Sequence, residues 1–272
     1  MNLAQSLIFI TSTALLSGCI VIANPSHANF HTQQELSIDA RALNALDIEA
    51  GAGSLVISGS DDVTNIVVVA DIYTDKRHAD NYRLELTDSG GSGFLVAKID
   101  SNGFWQGDSP RIDIKVTMPS HLMLQVDDGS GSVNISHIYG AVDVKDGSGE
   151  LSIKDIKSDL KVKDGSGSLT ISEVIGNVTI TDGSGEIALN EIDGHIDIDD
   201  GSGSIYASAI SGNAIFEDGS GDLTVRKVGG MVTIDDGSGD IDVEQAGGLK
   251  ILDSGSGGLR VKKVEGSFEI DE

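Results

Sequence analysis

From Val133 to Ile270 short runs of alternating apolar and polar residues restart at a fixed interval of 18. Counted from the first residue of a recurrent tetrad, "DGSG", apolar side chains fall at plus 5, 7, 10, 14 and 16. In one unit these are Leu169, Ile171, Val174, Val178 and Ile180; in the next they are Ile187, Leu189, Ile192, Ile196 and Ile198. Such alternation predicts strands with one buried face, and two of them recur in each unit. No helical period is present, and no proline follows Pro119. Valine and isoleucine dominate the inward positions, as their branched side chains favour a pleated, packed surface.

The tetrad starts at Asp128, Asp146, Asp164, Asp182, Asp200, Asp218 and Asp236, and an eighth copy, "SGSG", starts at Ser254. A small residue at plus 12, usually glycine (Gly140, Gly176, Gly194, Gly212, Gly230, Gly248, Gly266), marks a second corner. One unit cannot bury its apolar residues alone, but units stacked at this period place each inward residue on its equivalent. The expected fold is all-β: a parallel β-solenoid (β-helix) of 18-residue coils with two main strands per coil. About eight coils at roughly 4.8 Å each make a stack on the order of 40 Å long. One coil, "AGGLKILDSGSG", is out of phase: Lys250 occupies an inward position between apolar Leu249 and Ile251, which predicts a local bulge or shift.

Two readings of the tetrad follow from its chemistry. In the first it is a structural turn ladder, in which glycine supplies positive φ, aspartate bonds to nearby amides, and serine bonds to the serine of the next coil. In the second, a column of carboxylates holds calcium. Calcium-binding β-rolls also use 18 residues per turn, but aligning "GSGSVNI" on their motif puts Val133, and in later coils Leu151, Leu169 and Ile187, where the aspartate ligand belongs. No cofactor is expected, with calcium as the alternative.

The chain carries 43 acidic and 18 basic residues, a net charge of −25. That balance argues against nucleic acid and against direct binding to anionic lipid, both of which need basic patches. The run Leu7 to Ala23 is apolar and uncharged, shorter than a usual membrane span, and reads as an export signal within residues 1–28. "LSGC", ending at Cys19, resembles a bacterial lipobox and makes this lone cysteine the lipidation candidate. "SHA", Ser26 to Ala28, resembles an ordinary cleavage site, and a retained anchor is the third alternative. The expected location is therefore exported: an outer-membrane lipoprotein, or a periplasmic or secreted protein.

Residues 30–126 are β-rich but irregular and are expected to form the atypical start of the solenoid, with the regular coils over 127–272. "LDIEAGAGSLVISGS" within this stretch looks like a degenerate coil. The loop "SNGFWQGDSP" holds Phe104 beside Trp105, a pair that either tucks over the core end or contacts a partner.

An export signal, a loose β-segment, the transition "VTMPSHLMLQVDDGSGSVNI" and glycine-cornered β-repeats together resemble the bacterial putative-adhesin family, over about residues 35–272. The resemblance implies an exported β-strand repeat protein with a domain of unknown function, and some relatives belong to envelope-stress systems. An enzyme is not expected: the unbroken spacing leaves no long loops for a site, and His31, His78, His121, His137 and His195 show no metal spacing. The expected function is an adhesin-like rod that binds a protein or glycan at the cell envelope. It would meet the membrane only through the candidate lipid anchor. The alternative is a periplasmic scaffold or envelope-stress component that binds another protein.

Overall fold

The structure, a computed structural model, describes residues 20–23, 30–74, 81–99 and 110–271. The described chain is a β-solenoid of stacked parallel coils. Strands related by one coil pair in parallel at an offset of 18, with Leu151 on Leu169, Leu169 on Ile187 and Leu160 on Val178. One ladder contains Gly149–Ile156, Gly167–Ile175 and Gly185–Asp193; the other contains Leu160–Asp164, Val178–Asp182 and Ile196–Asp200. Their inward residues, among them Leu169, Ile171, Val174, Val178 and Ile180, are all buried in one core.

Two kinds of place bend each coil besides the corner around plus 12, where one strand gives way to the next. At the tetrad, successive coils approach main chain to main chain: Gly165 N–H donates to the Asp146 carbonyl and Gly167 N–H to the Ser184 carbonyl, both at 3.0 Å. Gly167 has φ +139°, and a Cβ there would lie 1.7 Å from the Gly149 oxygen. Only glycine combines that conformation with that approach. The other place is plus 9, where His137, Asp155, Glu173, Glu191, Ala209, Lys227, Gln245 and Lys263 all have φ between 53 and 69°. This left-handed residue resets the alternation. It carries the inward phase from plus 7 to plus 10, where plain alternation would have used plus 9.

Two compensating shifts bring the out-of-phase coil back into line. Val228 pairs with Ala246, but Met231 pairs with Gly248, one residue short; Asp235 then pairs with Asp253, which restores the offset. Leu249 and Ile251 are thereby buried, and Lys250 turns outward to Glu269 (3.7 Å) and Asp271 (3.3 Å).

The described strands before Met123 pair out of sequence order. Phe30–Asp39 lies antiparallel to Asn65–Thr74, which lies antiparallel to Arg111–Pro119. Arg111–Pro119 is parallel to Leu55–Ser60, and that strand is parallel to the first regular coil through Leu55 on Val133. On the other ladder the hairpin Tyr82–Ser89 with Ser92–Ile99 lies against Ala45–Ala50, which pairs with Met123–Asp128. The strands Ala45–Ala50 and Leu55–Ser60 thus stack as a coil. No helix long and apolar enough to cross a membrane occurs among the described residues.

Two opposite exchanges test the two corners. Gly167→Ala should lose about 3 kcal/mol or more in denaturant unfolding, because backbone must move to admit the methyl. Ala209→Gly, which relieves a left-handed alanine, should be neutral or gain up to about 1 kcal/mol. A loss below about 1 kcal/mol for Gly167→Ala would contradict the close approach at the tetrad.

Candidate functional site

The inward phase of the second strand does not stop at plus 16. In Leu160–Asp164 the buried residues are Leu160, Val162 and Asp164, so the tetrad's aspartate is the third inward side chain of its strand. The same holds for Asp128, Asp146, Asp182, Asp200, Asp218 and Asp236, which are all buried. The parallel register lays them one on another, Asp128 on Asp146 on Asp164 on Asp182, and onward to Asp236. A column of carboxyl groups therefore runs through the edge of the core.

One oxygen of several rungs caps its own turn. Ser166, Ser202 and Ser220 donate their main-chain N–H to Oδ1 of Asp164, Asp200 and Asp218, at 3.3, 3.1 and 3.0 Å. The second oxygens of these three are buried and meet no hydrogen-bond partner, and at Asp146, Asp182 and Asp236 neither oxygen does. An ionised carboxylate in that setting is costly, so the column favours protons. Burial pushes Asp128 up to about 7, with the Asp146 charge adding to it. Burial and neighbouring carboxylates push Asp182, Asp200 and Asp218 up to about 6. Asp146, Asp164 and Asp236 are raised for the same first cause. Among the described residues no three His, Cys, Asp or Glu side chains form a group that could hold a metal ion.

A second ladder runs along plus 13, at the other corner. Asp159 Oδ1 accepts the N–H of Asn177 (2.9 Å), Asn177 Oδ1 that of His195 (3.0 Å), His195 Nδ1 that of Asn213 (2.8 Å), and Asn213 Oδ1 that of Met231 (2.9 Å). His195 is a rung here, with its Nδ1 lone pair committed to the next coil. The sequence pattern marks plus 12 as small but gives no sign of this ladder, because three residue types, aspartate, asparagine and histidine, share the one role.

A third group lies on the antiparallel strands. His31, Tyr73 and Arg111 are direct cross-strand neighbours. The His31 and Tyr73 rings stack at 4.6 Å, the Arg111 guanidinium lies 4.0 Å from the Tyr73 ring centre, and His31 Nε2 meets Asp71 Oδ1 at 2.8 Å. Strands 38 to 42 residues apart in sequence make this row, so only the strand pairing reveals it. Cys19, Phe104 and Trp105 lie outside the described residues.

No family model and no curated protein matches the chain. Solved structures do match, each over 88% of this chain and 97% of its own. They include a putative lipid binding protein from Parabacteroides distasonis, with a TM-score of 0.48 and 15% identity. A putative cell adhesion protein from Clostridium sporogenes has a TM-score of 0.34 and 11% identity, and a putative adhesin from Bacteroides fragilis has 0.27 and 15%.

The column sets a direction for pH dependence. Well below the ordinary aspartate value of 3.8, folded and unfolded chains both hold these protons. Between there and about 6 to 7 the unfolded chain releases protons that the fold keeps, so stability falls as pH rises. The melting temperature should be lower at pH 8 than at pH 5. Asp182→Asn, which places a donor between Asp164 and Asp200, should raise the melting temperature at pH 8 by roughly 2–6 °C and change little near pH 4. An equal loss at both pH values would contradict a protonated column.

Proposed function

We propose that the protein is a non-enzymatic, exported rod of the cell envelope that binds a protein or glycan through its outward columns, in an adhesin-like role. The observation that carries this reading is the difference between the two sides of the same strands. Inward positions hold a uniform core, while outward positions vary from coil to coil on a regular parallel frame. At plus 6 the residues run Asn134, Ser152, Thr170, Ala188, Tyr206, Thr224, Asp242 and Arg260. On the other ladder the outward pairs change from Lys161 and Lys163 to Thr179 and Thr181, then to Asp197 and Asp199. A stiff frame fixes the spacing of such contacts, so several weak ones act together at little entropic cost.

The chemistry of the site agrees with a binding role. The carboxyl groups with shifted affinities for protons lie inside the wall, one coil apart, and serve the stack. The grooves among the described residues are shallow and lie on the strands; one of about 440 Å³ is lined by Asp47, Glu49, Phe94, Gln125 and Lys145. Phe94, Ile175, Tyr206 and Ile215 stand exposed on the flanks, where apolar contacts with a partner are available. An export signal ending at Cys19 or at Ala28 would deliver the chain to the envelope, with Cys19 as its lipid anchor in the first case.

Antibody binding and protease cleavage on intact cells test the proposal, with a periplasmic protein as control. The expected result is access without opening the outer membrane. Protection until that membrane is opened would contradict the adhesin-like role and favour a periplasmic scaffold that binds another envelope protein.

A further inference from the structure

The outer face of the second ladder carries its charge in bands. Its outward columns are plus 15 and plus 17. Along them a basic band of Lys145, Lys161 and Lys163 is followed by an uncharged coil with Thr179 and Thr181, and then by an acidic band of Asp197, Asp199 and Glu217. All eight side chains are exposed. Lysines elsewhere on the stack meet an acid of their own chain, as Lys154 meets Glu173 at 2.9 Å and Lys263 meets Glu244 at 3.1 Å. The six charged groups of these two bands make no ion pair among the described residues. A face on the side of a solenoid stays open however many coils are stacked.

The face is large enough for a contact between proteins. Between Asp127 and Asp235 it spans seven coils of short strands, such as the five residues Leu160–Asp164. At roughly 4.8 Å per coil and about 3.3 Å per residue, each copy offers on the order of 550 Å². Two such faces together bury on the order of 1,100 Å², the lower range of specific interfaces, which suits a micromolar rather than a nanomolar contact.

We propose that a second copy of this chain packs on this face, side by side, with its coils in reverse order. Charge selects the symmetry. A two-fold axis parallel to the stack would set each coil against itself, bases on bases and acids on acids. A two-fold axis along the strands of the Thr179 and Thr181 coil reverses the order of the coils and keeps the columns. Lys161 then meets Asp197 of the other copy, Lys163 meets Asp199, and Lys145 meets Glu217, each pair occurring twice. The short threonines meet at the centre. The mismatches lie farther out: Asp143 comes against Ile215, and Asp127 against Asp235 near the rim. The contact is isologous and uses one face of each chain, so it closes at two copies. The plus 6 columns of the other ladder remain on the outside of the pair, and the proposal does not depend on what they bind.

Light scattering on the full chain after size exclusion tests this, with two charge-reversed variants. One carries Lys161→Asp and Lys163→Asp, and the other carries Asp197→Lys and Asp199→Lys. The parent should show twice the chain mass at about 100 µM. Each variant alone should associate at least about tenfold more weakly, with an unchanged β-sheet circular dichroism spectrum. An equal mixture of the two variants should recover the two-chain mass, because every reversed group then faces its opposite. Where a reversed chain loses that spectrum, Lys161→Thr with Lys163→Thr copies the next coil and should weaken association in the same sense. A single-chain mass for the parent at about 100 µM would overturn the proposal and leave the face to a different partner. So would variants that associate as the parent does, a mixture that does not recover the two-chain mass, or a mass that grows without limit with concentration.

Discussion

Everything in this protein depends on main-chain contact between coils held at one period. Successive tetrads touch through the N–H of one glycine and the carbonyl of the aspartate a coil earlier, as in Gly165 to Asp146 and Gly201 to Asp182. With the coils that close and in register, no residue can choose its neighbour: each position lies on the same position of the next coil. A valine column is then a core, and a glycine column is a corner. An aspartate column is a line of carboxyl groups out of water that must keep protons or repel.

That constraint explains what the sequence does and does not reveal. The solenoid is legible because the core positions repeat without insertion, and even the step from plus 7 to plus 10 records the left-handed residue at plus 9. The phase error around Lys250 is legible too, since Leu249 and Ile251 announce which side must turn in. The inward direction of the aspartates is present in the count, which runs plus 14, 16 and 18. Aspartate chemistry points instead to a solvated turn, and that expectation hides it. Asp164 does bond the amide of Ser166 as a turn residue would, yet its other oxygen is buried without a partner. The serine–serine contact expected between tetrads is carried instead by main chain, Gly167 N–H to the Ser184 carbonyl. The order of the strands from Phe30 to Pro119 is not legible, since it rests on antiparallel partners far apart in sequence, such as Thr32 with Ile72 and Ile72 with Ile112.

The same regularity divides labour between interior, flanks and ends. The interior supplies stability without a disulfide, as Cys19 is the chain's one cysteine. The flanks can vary, because outward side chains on the strands lie outside the core layers, and there basic positions give way to acidic ones along one ladder. The ends are where a ladder has unpaired edges. The starting end is overlaid by antiparallel strands.

The central claim is that stacking forces like upon like, even for charged side chains. A carboxyl titration followed by carbon NMR on protein labelled at the aspartate side-chain carbonyl tests it most directly. The account predicts a set of aspartates that keep their protons until pH reaches about 6 to 7. A single population in which every aspartate ionises near 3.8 would contradict a buried column.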